Sequence, residues 1–337
     1  MGKNIRILNG TYKIRGKDVD LAGMVFPLVE GFKVGAKGGY VTVDGRAVAG
    51  FPDRNIKIAV DSDGAFEDAG NARVTKREES DEEVIERMRE RFQMLEDMTR
   101  ACKKGDVRAM IVSGPPGVGK SFGVEKVLGK HDLLADIAGN SKLKKYEVVK
   151  GAMSAIGLYC KLFQYADKDC VIVFDDCDSV LLDDLSLNIL KAALDSKKNR
   201  RIHWNTDSFK LKNEGVPDSF EFKGSAIFIT NIKFDNVKSK KLRDHLEALE
   251  SRCHYIDLTI DSERDKMLRI KQITRDGMLD AYELAEGMTE EIIEFIDTNK
   301  KRLRELSLRT VLKVADLAKA FPDRWEAMAE NTVMRRG

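Results

Sequence analysis

Ala109-Met110-Ile111-Val112-Ser113-Gly114-Pro115-Pro116-Gly117-Val118-Gly119-Lys120-Ser121 reads as a short apolar strand that runs straight into a glycine-rich loop. Gly114, Gly117 and Gly119 let the backbone curl, so that successive N–H groups turn inward on an anion. A helix expected from about Lys120, continuing through Phe122 to Leu128, adds the positive end of its dipole. The G-x-x-x-x-G-K-[ST] pattern alone occurs in unrelated chains, but strand, loop and helix in this order separate it from an ordinary Gly-rich turn. The stretch is a phosphate-binding loop. Gly114, Pro115, Pro116, Gly117, Val118, Gly119, Lys120, Ser121 and Phe122 would hold the nucleotide, with Lys120 reaching the β- and γ-phosphates and Ser121 offering its hydroxyl to Mg²⁺.

Farther along, Val171-Ile172-Val173-Phe174-Asp175-Asp176 sets four apolar residues before paired carboxylates. At the C-terminal end of a buried strand, that charge stands where a magnesium ion beside the phosphate loop must sit. Asp175 would hold Mg²⁺, largely through water, and Asp176 would orient or deprotonate an attacking water. Asp178, Asp183 and Asp184 follow closely, so a solvated acidic turn is the other reading. Three more segments have strand character: Tyr146–Lys150, Ala226–Asn231 and Tyr255–Leu258. Helices are expected at about Ser154–Ala166, Leu185–Leu194 and Lys241–Ser251.

Toward the N-terminus, Ser80-Asp81-Glu82-Glu83 forms a capping box, with Val84, Met88, Phe92 and Leu95 at helical spacing behind it. The nucleotide-binding domain is therefore expected from residue 79 to 259. Residues 1–78 hold roughly half of the 26 glycines and short strand-like pieces such as Tyr40–Val43 and Ile56–Val60. Asp44-Gly45 is a candidate hairpin turn between them. This region reads as a β-rich appendage or a partner-binding module. Residues 260–337 read as a small helical domain and tail. Thr289 is the expected cap of one helix, Arg302–Arg309 continues the helical pattern, and Leu312, Val314, Leu317 and Ala318 face inward on another.

The 337 residues carry 34% charged side chains and a formal net charge of +2, so no global field recruits nucleic acid or a membrane surface. No apolar run approaches the roughly 20 residues needed to span a bilayer, and no secretory leader is evident. A cytoplasmic location is expected. Cys102, Cys160, Cys170, Cys177 and Cys253 lack metal-ligand spacing and read as reduced thiols.

The order of these motifs resembles that of the AAA+ ATPases over about Ser80 to Phe321. Gly114–Ser121 is similar to the family's Walker A motif and Val171–Asp176 to its Walker B, although the family usually has Glu at the place of Asp176. Ile229-Thr230-Asn231 resembles the sensor 1 strand, which implies that the Asn231 amide positions the hydrolytic water. Ala248–Cys253 resembles the arginine-finger segment in its clamp-loader Ser-Arg-Cys form, mapping the finger onto Arg252. Leu306–Thr310 resembles the start of the sensor 2 helix of the lid, mapping that arginine onto Arg309. Cations brought from outside the loop suit a transferring phosphoryl group, whose charge spreads over its equatorial oxygens.

The resemblance implies an α/β P-loop NTPase with a central parallel sheet flanked by helices, a C-terminal helical lid, ATP and Mg²⁺ as ligands, and a homo-oligomeric ring such as a hexamer. Gly151–Tyr159 lies where many members place a pore loop, and reads equally as an apolar helix start packed on the sheet. The 200–224 insertion precedes sensor 1. Its Trp204 and the Lys197-Lys198-Asn199-Arg200-Arg201 run would meet DNA or a polypeptide, or form a solvated face. Three functions follow: a ring motor that remodels a protein or nucleic acid, a loader or switch with slow hydrolysis, and a small-molecule kinase. The last lacks an acceptor pocket. The lone module also resembles AAA+ proteins of tailed phages, which implies a role in DNA replication in the host cytoplasm.

Overall fold

The computed structural model describes residues 3–335 apart from 15, 49, 53, 71, 73–78, 130–136, 138–143, 198, 233, 235, 236 and 261. Glu78 at the expected domain boundary, Lys198 of the basic run, and Arg336 and Gly337 of the tail lie outside the described residues. The chain forms two compact units, Met1–Val84 and Ile85–Gly337.

The first unit is an antiparallel sheet of β1 (Asn4–Ile7), β2 (Thr11–Ile14), β3 (Lys17–Asp20), β4 (Val25–Gly35), β5 (Gly38–Asp44), β6 (Asn55–Ala59) and β7 (Phe66–Gly70). Its strand order is β3-β2-β6-β5-β4-β1-β7. Alternation places Ile5, Ile7, Val41, Val43, Ile56 and Ile58 on one buried face, which is the β-rich pattern expected. The expected Asp44-Gly45 hairpin turn is replaced by a longer connection. The Asp44 carboxylate accepts from the Arg46 N–H at 3.0 Å and caps a short 3₁₀ turn, Gly45–Ala47. Gly45 is needed there for close approach: a Cβ would stand 2.6 Å from the Pro52 carbonyl oxygen.

Helix α1 (Asp81–Lys103) begins in the last residues of the first unit, and the second continues through β8 (Ala109–Ser113), α2 (Lys120–Leu128), β9 (Tyr146–Lys150), β10 (Val171–Asp175), β11 (Arg201–His203), β12 (Ser219–Glu221), β13 (Ser225–Thr230) and β14 (His254–Asp257). The Ser80–Glu83 capping box at the start of α1 is formed in both directions, at 3.1 and 3.2 Å. Five strands make a parallel sheet in the order β14-β8-β13-β10-β9. β8, β10 and β13 are buried along their whole length, as strands covered on both faces must be. Leu95, Val124 and Leu128 from α1 and α2 pack on one face with Met110, Val112, Val173 and Ile229. On the other face Phe174 and Phe228 stack at 5.3 Å within a core that includes Leu158, Leu187, Leu190 and Leu246.

Helices Glu263–Ile273, Met288–Asn299, Leu308–Ala320 and Trp325–Val333 enclose a separate core that contains Ile292, Ile296, Val311, Val314, Ala315 and Ala329. Ala318 is buried there as well, and Leu312 and Leu317 are partly so. Two expectations fail here. Gly287, in the left-handed region, caps the helix that Thr289 was expected to cap, so Thr289 lies in its first turn. Residues 302–307 are not helical, and two of their backbone groups pair with the end of the chain. Arg304 N–H donates to the Val333 carbonyl at 2.9 Å, and Arg335 N–H to the Arg302 carbonyl at 2.8 Å.

Candidate active site

The parallel register brings the key residues to one edge. Thr230 pairs with Ser113, Asp175 with Ile229, and Lys150 with Asp175. The phosphate loop, the paired carboxylates and Asn231 therefore leave the C-terminal ends of adjacent strands, where open α/β sheets bind ligands.

Gly114, Gly117 and Gly119 have φ of 156°, 70° and 100°, a run that side chains resist. In α2 the first intrahelical bond given by the loop is Gly123 N–H to the Gly119 carbonyl, at 3.0 Å. The N–H groups of Lys120, Ser121 and Phe122 belong to the helix's unpaired first turn. Val118 is buried, whereas Phe122 turns its ring to solvent at 71% exposure, so its share in a nucleotide site is its backbone. Buried Lys120 directs Nζ to the carbonyls of Gly114 and Pro115, at 2.7 and 2.9 Å, and to Asn231 Oδ1, at 2.7 Å. Burial holds its ammonium below the ordinary lysine range, against the pull of Asp176 and Asp175; Arg309 adds to the lowering.

Asp175 is buried, and its Oδ1 accepts from Ser121 Oγ at 2.9 Å. Asp176 is exposed to the crevice with φ of 50°, an unusual value for a non-glycine residue. Its N–H donates to the Ile229 carbonyl at 3.0 Å, which stabilises this sharp turn. The turn delivers Asp176 Oδ1 to Asn231 Nδ2 at 2.8 Å. Strain of this kind, held by its surroundings, is a common mark of a functional site. Asp178 is tied to the sheet by Thr230 Oγ1 at 2.7 Å, which sets it apart from the solvated acidic turn.

The C-terminal helices also reach the loop. Leu308 N–H donates to the Gly117 carbonyl at 3.0 Å. A Cβ on Gly117 would stand 2.7 Å from Ser307 Cβ. Beside this contact, Glu305 Oε1 and Ser307 Oγ are buried without a hydrogen-bond partner among the described residues. Arg309, one residue past Leu308, is exposed, and its charge is felt at Lys120.

Arg252 lies elsewhere. β14 runs parallel to β8, with His254 opposite Met110 and Asp257 opposite Ser113. At about 3.3 Å per residue, the strand alone separates Arg252 from the loop end of the sheet by about 10 Å. Arg252 Nη1 folds back on the Ala248 carbonyl and on Ser251 Oγ. The nearby Asp195 carboxyl is held below its usual range by the Lys197 N–H, with the charges of Lys197 and Arg252 adding to it.

The two segments considered for handling a substrate are partly packed into the core. Ser154 caps the helix Ala155–Gln164, and Leu158, Tyr159 and Cys160 enter the core, leaving Gly151, Ala152 and Ser154 exposed. Trp204 packs against Tyr159 at 5.5 Å between ring centroids. Arg200 is buried, bonded to the carbonyls of Ala193 and Gly224 at 3.3 and 3.1 Å. Arg200 is therefore not part of a solvated face, and Trp204 is half-buried. The exposed aromatic of the insertion is Phe209, at 80%. Lys150 was not among the residues singled out from the sequence. Its Nζ lies 3.4 Å from Asp175 Oδ2, and only the strand order that sets β9 beside β10 reveals this.

This arrangement fits a nucleotide with its metal. The loop is packed too closely for side chains at two of its glycines, where a Cβ would meet Leu258 at Gly114 and Ser307 at Gly117, and it ends at the N-terminus of α2, a ready anion site. Ser121 and Asp175 form an adjacent oxygen pair of the kind Mg²⁺ takes alongside phosphates and water. Among the described residues no cluster of three or more His, Cys, Asp or Glu side chains could hold a metal, and no helix is long and apolar enough to cross a membrane.

Residues 110–249 match the model of the ATPase family associated with various cellular activities (AAA). The uncharacterized 36.7 kDa protein in the nrdC-mobD intergenic region of Enterobacteria phage T4 is 34% identical over 260 residues, covering 76% of this chain and 78% of that one. Among solved structures, the S. cerevisiae Hsp104:casein complex in its extended conformation aligns with a TM-score of 0.39 and 15% identity, over 74% of this chain and 40% of that one. A DNA replication initiation factor aligns with a TM-score of 0.34 and 13% identity, over 73% and 63%. The chain thus spans less than two thirds of either structure. With the glycine cradle, the paired carboxylates and the matched segment all falling on one parallel sheet, the chain belongs to the AAA ATPase family.

Proposed function

We propose that this chain binds and hydrolyses ATP and works as a ring-forming motor or remodeller of a protein or nucleic acid. The observation that carries the reading is the chain of contacts from Lys120 through Asn231 to Asp176, beside the Ser121–Asp175 pair. Lys120 would exchange its loop carbonyls for phosphate oxygens. Asp176, held by Asn231, would accept a proton from water as the water oxygen bonds to the γ-phosphorus and the bridging oxygen departs with ADP. Bound through Ser121 and Asp175, Mg²⁺ would neutralise charge on the phosphate oxygens. Arg309 would add positive charge from the C-terminal helices, which we assign with residues 260–337 as a lid on the 79–259 nucleotide domain. Residues 1–78 are assigned as an appendage.

The placement of Arg252 at the end of the sheet opposite the loop supports action on a neighbouring subunit, and hence assembly into a ring. The phage relative supports a location in the cytoplasm of an infected bacterium. A loader or switch with slow turnover is the second reading, favoured by the short side chain of Asp176. Phosphate release measured with single-stranded DNA, double-stranded DNA and an unfolded protein tests the choice. Stimulation by one polymer supports the motor. Slow, unstimulated turnover supports the switch.

A further inference from the structure

Both oxygens of Asp175 are engaged. Oδ1 accepts from Ser121, which would itself be a ligand of the metal, and Oδ2 faces the Lys150 ammonium at 3.4 Å. Lys150 Nζ also bonds Glu125 Oε1 at 3.1 Å. Glu125 lies four residues after Ser121 on α2, so the two share a helix face. The Asp175 side chain is 7% exposed, against 60% for Lys150 and 44% for Glu125. A buried carboxylate needs a nearby countercharge; Lys120 and Lys150 both act on it, and Lys150 is the one within ion-pair distance. The same ammonium repels a divalent cation on that carboxylate. Its four-carbon stem lets it move, and Glu125 gives it somewhere to go.

We propose that Lys150 competes with the metal for Asp175, and that its second partner Glu125 draws it aside when the metal binds. The Lys150–Glu125 pair then sets the Mg²⁺ concentration at which nucleotide is held tightly. This rests on the reading of Ser121 and Asp175 as the metal's protein ligands.

The test is a Mg²⁺ titration of the binding of a fluorescent ADP analogue, which reads cation dependence without turnover. Lys150→Met should lower the Mg²⁺ midpoint by about twofold to fivefold, the range expected for a partly exposed charge pair. Glu125→Gln should raise it by a similar factor, because Lys150 loses its alternative partner. If Glu125 acts through Lys150, the double variant should match Lys150→Met alone. An unchanged or raised midpoint in Lys150→Met, or a double variant that keeps the Glu125→Gln shift, overturns the proposal while the site stands. Wild-type binding that is indifferent to Mg²⁺ would instead remove the underlying metal site, and the proposal with it.

Discussion

Asn231 donates from Nδ2 to Asp176 Oδ1 across 2.8 Å, joining the ends of two strands through residues 55 positions apart. Its other amide atom accepts from Lys120, so one side chain links the Lys120 ammonium to the Asp176 carboxylate. If Asn231 and Asp176 together place the attacking water, Asn231→Ala should bind ATP within a few-fold of wild type. It should lose about 10²-fold or more in turnover, as removal of other positioned polar groups does. Equilibrium binding and phosphate release on the same preparation check this. A variant with wild-type turnover removes Asn231 from the chemistry.

Gly117 combines φ of 70° with contact against Ser307, so alanine there is opposed twice. Gly117→Ala should lower stability by about 1–3 kcal/mol and weaken nucleotide binding, since either the loop or the Leu308–Gly117 contact must shift. Thermal melting with and without nucleotide measures both effects. Gly151→Ala has a positive φ but open space, so backbone strain should act alone and nucleotide binding should survive.

Arg252 should act across a subunit boundary. Arg252→Ala should bind ATP normally yet lose much of its hydrolysis; fingers supplied in trans are worth about 10³- to 10⁵-fold, far more than a surface ion pair. Mixing it with Lys120→Ala should partly restore activity, because some interfaces then pair an intact loop with an intact arginine. No recovery on mixing, together with a wild-type protein that stays monomeric with ATP by light scattering, would count against the ring.

In the C-terminal helices, Asp297 sits between Lys271 and Lys300 at 2.6 and 2.7 Å. The Lys271 and Lys300 hydrogen bonds hold its carboxyl below the usual range. A depressed folded value gives stability that is present above the unfolded value, about 3.9, and lost as pH falls through the folded one. Asp297→Asn should therefore be less stable than wild type by about 1 kcal/mol at pH 7, with the difference closing below about pH 3.9. Denaturant unfolding at pH 7 and well below the unfolded value gives the comparison.

The loop and the carboxylate strand were legible because their chemistry is local: glycines where φ is positive, apolar residues on β8 and β10, charge at the strand ends. Parallel pairing then brings Asn231 to them. Lys150 was not legible, since nothing near it in sequence says that β9 lies beside β10. Arg200 and Trp204 misled for a related reason. A basic run and a tryptophan suggest a surface, but the Ala193 and Gly224 carbonyls hold Arg200 inside, and Tyr159 from a distant helix leaves Trp204 half-buried. Residues 302–307 looked helical by spacing, yet the Arg302 carbonyl and the Arg304 N–H bond to the last residues of the chain.

Phosphate release from ATP, measured for wild type, Lys120→Ala and Asp176→Asn beside ATP binding of each, tests the central assignment most directly. Wild type should hydrolyse ATP only with Mg²⁺; Lys120→Ala should lose binding and hydrolysis together; Asp176→Asn should keep binding and lose about 10²-fold or more in turnover. Wild-type binding and turnover in Lys120→Ala would contradict the assignment.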